Sequence, residues 1–439
     1  MSNLTMVKSF ISLKLNEKRS RESILRLREK KFRRILRFAY NKSKFYNKLY
    51  KSKGITKDKI ERISIEELPV IDKKTVMDNF DDVLVANDIS KNDIMNFLQR
   101  SKNPNDLLNN RYHVIHSSGS SGKIGVFVYS RRDWDEFYPY ITRTIDFKFR
   151  KTKASYIGAV DGHYSGISFT SWLTESLSRF FCQPLVLDIN DPIEKNIEKL
   201  NKFQPQILGG YFTGLKILAQ YQEKGLLNVK PEVVENCAEG INTNDKKYIE
   251  EIFDAPLVNI YGFAECPAVG VGKNEYDGIY LWDDLAYIEI KENHILLTNL
   301  FNFTQPLIRY KIGDYLKIKE DKKQILPFTL VDNIVGRDEF VPWFRNKYGK
   351  LDFLHPFIFV EFFVKGLDKL QIVVKDEESF DFLAVISEKN KRDVVRNIKK
   401  KLDNILAKKD FTNVKYEVKV VDDLKVDKKT GKFKLIVKK

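Results

Sequence analysis

The chain reads as an α/β protein: a large N-terminal domain on mixed or parallel sheets, followed by a small α+β C-terminal domain. Three observations predict this. At 439 residues the chain exceeds what one hydrophobic core usually organises, so more than one structural unit is expected. From about residue 111 onward, strand-like runs alternate with helix-like stretches, the order that builds a largely parallel sheet. Around Asp332 to Phe340 the pattern changes character, which puts a domain boundary at Arg337-Asp338 and divides the chain into 1–336 and 337–439.

Near the start, Val7, Phe10, Ile11 and Leu15 fall at helical spacing, a pattern compatible with an amphipathic, surface-associated first helix. Residues 20 to 53 read as basic helix, with Ile24, Leu25, Leu27, Phe32, Ile35, Leu36 and Phe38 recurring largely at three- and four-residue steps; that face is expected to be buried. In ELPVIDKKTVMDNF, Pro69 punctuates the chain and Asp72 is placed to cap a helix starting at Lys73. HVIHSSG, GVFVYS, KASYIGAV, PQILGG and PLVNIYG predict strands, and Trp134 to Phe147 predicts a helix. Beyond the boundary, LQIVVK, FLAVIS and VKYEVKVV predict strands, while Val394, Ile398, Leu402 and Leu406 mark one face of a helix. There is no internal repeat and no low-complexity linker.

Composition excludes several classes. A hydrophobic content of 43%, with 31 Phe and 20 Tyr, excludes a mainly disordered or fibrous chain. The 76 Lys and Arg against 60 Asp and Glu give a charge of +16, which draws attention to nucleic acid, anionic lipid or an anionic substrate. The excess is spread, with short runs such as Lys30 to Arg34 and Lys399 to Lys401, and the aromatic-flanked basic motifs of RNA-binding modules are missing. Solvated faces are therefore the expectation, and a nucleic-acid partner is not. Cys182, Cys237 and Cys266 are odd in number and far apart, which fits a reducing cytoplasm and offers no zinc or redox spacing. The N-terminus lacks a secretory cleavage pattern, and no run approaches the ~20 apolar residues of a membrane helix. A homodimer is the commonest assembly to expect.

Five segments carry residue types suited to chemistry. In HSSGSSGKIGVFVYS, Ser117, Ser118, Gly119, Ser120, Ser121, Gly122 and Lys123 lie between two strand-like runs; glycine frees backbone N–H groups, serine adds donors and lysine a charge, all useful to a phosphate. The same loop reads equally as a plain turn, and it is not a Walker loop. NIYGFAEC offers Tyr261 and Gly262 after a strand, with Glu265 as a carboxylate for Mg²⁺ or as an ordinary exposed glutamate. LIRYKIGDYLKI brings Arg309, Gly313 and Asp314, either a hairpin turn or an acidic group for ribose hydroxyls. IVGRDEF is the fourth, and KKTGKFKLIVKK, with Lys432, is the fifth, otherwise a solvated basic tail.

In this order and over most of the chain, these segments resemble the adenylate-forming superfamily of acyl-CoA synthetases, luciferases and peptide-synthetase adenylation domains. FAYNKSKFYNKLYKSKGI followed by ELPVIDKKTVMDNFDDVL is similar to the phenylacetate-CoA ligase group, with its coenzyme F390 synthetases and CapK-type capsular-polysaccharide proteins. The resemblance implies that Ser117 to Lys123 close on the β- and γ-phosphates, that Ala238, Glu239 and Gly240 lie beside the adenine, and that Tyr261 stacks near the base. It implies Glu265 as the Mg²⁺ ligand, Asp314 on the ribose, Arg337 on ribose or phosphate, Asp338 as the hinge and Lys432 as the mobile catalytic lysine.

Two departures stand out. Ser120, Ser121 and Ile124 replace the usual threonines and proline of the phosphate loop. The gate before the acid pocket is matched loosely by GAVDGHYSGISF, leaving His163 and Gly166 as candidate pocket residues, with His163 equally readable as a surface histidine. The function implied is ATP-dependent activation of a carboxylic acid as its acyl-adenylate, then transfer to coenzyme A, a carrier protein or an amino-sugar acceptor, with ATP and Mg²⁺ as cofactors. The alternatives are an adenylyltransferase that leaves AMP on its product and a non-catalytic, basic nucleic-acid-binding protein.

Overall fold

A computed structural model describes residues 2–117, 125–144, 151–175, 177–292, 294–332, 341–354, 356–360, 362–386, 390–424 and 434–438. Three helices open the chain: α1 (Ser2–Asn16), α2 (Arg21–Lys42) and α3 (Lys44–Ser52). Ser20 and Ser43 start α2 and α3 by accepting the backbone N–H of Ser23 and Tyr46, so each satisfies a donor the helix cannot. Ile24, Phe32, Ile35 and Leu36 are buried as their spacing predicts.

The first helix docks by a narrower face than the apolar spacing suggests. Leu13 and Asn16 are buried, whereas Val7, Ile11 and Leu15 stay exposed. The amide of Asn16 donates to Asp284 (2.8 Å), whose two oxygens also take both terminal nitrogens of Arg143 at 2.8 Å. Burial opposes the charge on Asp284, but Arg143 holds its carboxyl below the ordinary range.

β1 (Tyr112–Ser117) and β2 (Gly125–Ser130) form a separate antiparallel pair. They are strands, as expected, but lie outside the parallel sheet, because among the described residues they form a two-stranded sheet of their own. The helix expected from Trp134 to Phe147 starts earlier, at Arg131, and tightens into a 3₁₀ turn from Tyr138 to Arg143. Ser130 and Asp133 form a capping box at that early start, and Pro139 sits where the turn tightens.

Among the described residues the main sheet has eight strands: β3 (Thr152–Gly158), β4 (Cys182–Asp188), β5 (Ile207–Tyr211), β6 (Val233–Cys237), β7 (Leu257–Phe263), β8 (Cys266–Gly272) and β9 (Ile279–Leu281), plus one described below. Next come β10 (Ala286–Ile290), β11 (Ile295–Asn299) and β12 (Tyr310–Ile312), a three-stranded antiparallel sheet, and then β13 (Thr329–Val331), which completes the large one. The order is β13-β9-β8-β7-β6-β5-β3-β4; β4, β3, β5, β6 and β7 run parallel and the others antiparallel, so the sheet is mixed.

Alternation along the strands divides the two faces of this sheet. Leu208, Val234 and Leu257 stand in register and are fully buried in a cluster with Leu215, Leu218, Ile249 and Phe253 of the connecting helices. One residue on, Gly209, Glu235 and Val258 face the other way, into a cavity.

The C-terminal part is an α+β unit of its own sheet. After the short pair β14 (Trp343–Arg345) and β15 (Leu351–Phe353) come β16 (Leu367–Val374), β17 (Ser379–Ile386), β18 (Lys415–Val420) and β19 (Ile436–Lys438), in the order β18-β17-β16-β19. The helix Lys391–Lys408 buries Val394, Ile398, Leu402 and Leu406. Lys408 at its end reaches Asp161 (2.6 Å) and Asp188 (3.1 Å), beyond β3 and at the end of β4, which ties the unit to the main sheet. No helix among the described residues is long and apolar enough to cross a membrane.

Candidate active site

A cavity of about 1050 Å³ runs along the open face of the main sheet. One end is lined by Tyr211, Cys237, Ala238, Gly262 and Phe263, at the carboxyl ends of the parallel strands, where α/β folds place ligands. The other end reaches Gln206, Glu232 and Pro256 near the strand beginnings. Its volume sits at the top of the usual range for ligand pockets, ample for a nucleotide and a second small molecule.

Five sequence-predicted residues meet at the carboxyl end: Ser117, Ala238, Gly262, Glu265 and Asp314 line the cavity together. Chain geometry delivers each. Ser117 ends β1, and Asp314 follows β12 after Gly313. Glu265 sits in the turn between β7 and β8, which closes tightly because Gly262 has no side chain: a Cβ there would lie 2.1 Å from the Pro267 carbonyl oxygen. The Tyr129 hydroxyl donates to the Ala264 carbonyl (3.0 Å), and the Asn299 amide donates to that of Glu265 (3.1 Å), so the turn is held from two sides.

Lys73 joins this group, although the sequence reading gave it no role. Asp72 accepts the Thr75 N–H (2.7 Å) and so caps the helix Lys73–Asp78 as expected. The preceding Ile71 exchanges backbone hydrogen bonds with Arg309 and Lys311 on either side of Tyr310, fixing where that helix begins. The Lys73 ammonium thereby lies 3.3 Å from the Ser117 hydroxyl. Burial pushes its pKa down, while the Glu265 carboxylate opposes the shift. Burial and then Glu265 also push the Tyr310 phenol far above its ordinary value, so it stays protonated beside that carboxylate. The available signal was the Lys that follows Leu-Pro in ELPVIDKK.

Several candidates serve the site differently from expectation. Tyr261 does not line the cavity: its ring is buried edge-on against Phe263 (5.6 Å), and its hydroxyl donates to Asp314 at 2.9 Å. Burial and the Asp314 charge raise its pKa well above the ordinary phenol, so it remains a donor. After β6, Ala238 lines the cavity with φ +67°, a left-handed turn that costs a non-glycine residue roughly 1–2 kcal/mol. Glu239 and Gly240 do not line it, and the Glu239 carboxylate accepts the Thr213 N–H (2.6 Å) and hydroxyl (3.1 Å) at the start of the helix Phe212–Glu223. A negative group there meets the helix dipole, a structural use of that side chain.

Gly166 lines the cavity, but His163 does not. His163 is 1% exposed, so it is no surface histidine either; Nε2 lies 3.0 Å from the Ser101 hydroxyl and the ring packs on Phe97. Burial pushes its pKa down to about 4. Arg309 is likewise structural, paired through both ends of its guanidinium with Glu289 (2.8 and 2.9 Å). Ser118 to Lys123, Arg337, Asp338 and Lys432 lie outside the described residues. A further residue that sequence reasoning missed is Glu235, midway along the cavity face of β6, where a charged residue interrupts the apolar run VVENC.

No family model matches the chain. It is 24% identical over 410 residues to Protein CapK of Staphylococcus aureus, covering 88% of this chain and 84% of that protein. It is 23% identical over 324 residues to phenylacetate-coenzyme A ligase of Aromatoleum evansii, covering 69% and 68%. Its fold is similar to 2-hydroxyisobutyryl-CoA ligase in complex with 2-HIB-AMP and CoA, with a TM-score of 0.61 at 16% identity over 96% of this chain and 91% of that one. The same ligase in its postadenylation state with R3-HIB-AMP gives 0.57 at 16% identity over 95% and 89%. Along most of its length the chain is thus similar in sequence to CapK and phenylacetate-CoA ligase, and in fold to an acid–CoA ligase.

Proposed function

We propose that the chain activates a carboxylic acid with ATP, releasing pyrophosphate, and passes the acyl group from the adenylate to coenzyme A or another thiol or amine acceptor. The observation that carries this reading is the group at the carboxyl end of the sheet: Lys73, Ser117, Glu265 and the Tyr261-held Asp314 converge on one end of a cavity that continues along the strands. Asp314 suits a ribose, because an ionised carboxylate accepts two hydroxyls at once. The Lys73 ammonium and the Ser117 hydroxyl suit a phosphate.

The chemistry asks little of a general base. The acid is already ionised near neutral pH, so one of its oxygens attacks the α-phosphorus directly while the bond to the β-phosphate oxygen breaks. Negative charge grows on the transferring and leaving oxygens, and a fixed cation such as Lys73 stabilises it without reorganising at the moment of reaction. By resemblance, Lys432 adds a second cation, Arg337 contacts ribose or phosphate, and a C-terminal domain from 337 turns about Asp338 between the two half-reactions.

The residues present fit a magnesium ion that arrives with the nucleotide. Glu265 offers one carboxylate, and no group of three or more metal-ligating side chains exists among the described residues. That donor set is too small to hold the ion alone but sufficient when phosphates and water supply the rest. When bound, the ion supplies positive charge to the phosphate oxygens.

The test is pyrophosphate release from Mg-ATP across aryl, fatty, amino and hydroxy acids, with and without coenzyme A. Release with one acid class supports adenylation, and a thioester product names the acceptor. Lys432→Ala is expected to cut release by orders of magnitude while ATP still binds. Silence with every acid, together with no ATP binding, would remove the reading.

A further inference from the structure

The cavity extends well past the nucleotide end, and its far part carries a charged group that the adenylation reading leaves without a task. On β6 the residues facing the cavity are Val233, Glu235 and Cys237, because alternate residues of a strand share a face. Cys237 lies at the carboxyl end beside Ala238, so Glu235 stands about 7 Å deeper, two residues at roughly 3.3 Å each.

The surroundings of Glu235 are built rather than incidental. The Thr144 hydroxyl lies 3.0 Å from its Oε1 and 2.8 Å from the Ile141 carbonyl oxygen, with one proton to give to either, and Thr144 itself is fully buried. Among the described residues nothing donates to Oε2. Gly209, in register on the adjacent strand, contributes no side chain over that carboxyl; a Cβ there would stand 3.7 Å from Oε2 and 3.3 Å from the Ser155 carbonyl. Val258 flanks it on the other side. The group is deep inside the domain yet keeps part of its surface toward the cavity, and that depth pushes its pKa up to about 7, against the Thr144 hydrogen bond and the Lys273 charge. A carboxyl in such a place is costly unless a partner arrives.

We infer that Glu235 selects the acid: the substrate is a carboxylic acid with a hydroxyl or amino donor at the end away from its carboxylate, which hydrogen-bonds the Glu235 carboxyl while the acid end meets the α-phosphate. The inference rests on the adenylation reading for the direction in which the acid lies. A five- or six-atom chain, or a para-substituted aryl acetate, is long enough to cover the depth of about 7 Å between Cys237 and Glu235. An acid with a plain methyl or aryl end would bury against a polar group and leave it unpaired, the arrangement by which sites reject analogues lacking a donor.

The experiment is calorimetric binding of matched acids to the full chain with a non-hydrolysable Mg-ATP analogue, run beside pyrophosphate release with ATP. Hexanoate is compared with its ω-hydroxy and ω-amino analogues, and phenylacetate with its para-hydroxy and para-amino analogues. At least one donor-bearing acid is expected to bind roughly tenfold to hundredfold tighter than its parent, the range of a hydrogen bond to a charged group. The preference should vanish in Glu235→Leu and partly survive in Glu235→Gln, which keeps an accepting oxygen. The hydroxy and amino arms tell a neutral donor from a cationic one.

Equal binding of parents and analogues, a preference that survives Glu235→Leu, or no binding by any matched acid would overturn the inference. Donor preference in binding without pyrophosphate release would leave it standing and remove adenylation instead. Pyrophosphate release with no donor preference would do the reverse.

Discussion

Removing the hydroxyl of Tyr261 tests whether Asp314 is a prepared nucleotide-binding group. In Tyr261→Phe the ring still fills its place against Phe263, and only the 2.9 Å hydrogen bond to Asp314 is lost. A hydrogen bond to a charged group contributes about 1.5–3 kcal/mol. Expressed entirely as ATP affinity, that is a ceiling of roughly 10- to 150-fold, since each 1.4 kcal/mol is tenfold. Asp314 is partly exposed, so water replaces some of the lost donor, and about tenfold weaker binding is expected.

The phenol's raised pKa keeps the wild-type donor intact throughout the assay range, so the ratio between wild type and variant should not change with pH. The assay is Mg-ATP titration by calorimetry, paired with initial rates. KM for ATP should rise while kcat at saturating ATP holds, because the hydroxyl positions a binding group and touches no reacting atom. Asp314→Ala should lose more than Tyr261→Phe. If Tyr261→Phe binds ATP within twofold of wild type while Asp314→Ala is impaired, Tyr261 does not orient the carboxylate. If both bind normally, Asp314 is not the ribose ligand.

Three other outcomes follow from the geometry. Lys73→Met should lower kcat/KM for pyrophosphate release by roughly 10²–10³-fold, the usual effect of deleting one transition-state donor, with the melting temperature near wild type. Asp284→Asn should destabilise the fold by about 3 kcal/mol in urea titrations, because it leaves the buried Arg143 charge with only the Glu17 carboxylate at 3.2 Å; a loss under 1 kcal/mol would mean that pair is not structural. His163 has a folded pKa of about 4, below the ~6.5 of an unfolded histidine, so its contribution is fully present above pH 6.5 and is lost as pH falls toward 4. Wild type should therefore lose about 2 kcal/mol relative to His163→Gln between pH 7 and pH 5. A pH-independent difference would show that the ring is not held neutral.

Local pattern carried much of the fold. The four-residue steps of Val394, Ile398, Leu402 and Leu406, the cap at Asp72 and the strands at 152–158 and 257–263 depend on neighbours a few residues away, which any reader of the chain can see. The order of the chemistry-bearing segments likewise pointed to Ser117, Ala238, Gly262, Glu265 and Asp314, and these five meet in space. Partner choice was not legible in the same way. Nothing in HVIHSSG and GVFVYS says that these strands, among the described residues, form a two-stranded sheet of their own, since register is decided by the surface each strand is offered.

Sequence by itself determined which elements form and which residue types are available for phosphate, ribose and metal. Tertiary structure decided what each side chain does. Glu239 was drawn to a helix start, and Tyr261 was turned inward to hold Asp314. His163 was sealed against Ser101, and Lys73 was carried to Ser117 by a backbone exchange with β12. Glu235 acquired its place beside Gly209, 26 residues away in the chain, through the pairing of two strands. Side-chain chemistry is a property of a residue, but burial, field and partner come from distant segments brought together, and those set whether a carboxylate caps a helix or waits for a ligand.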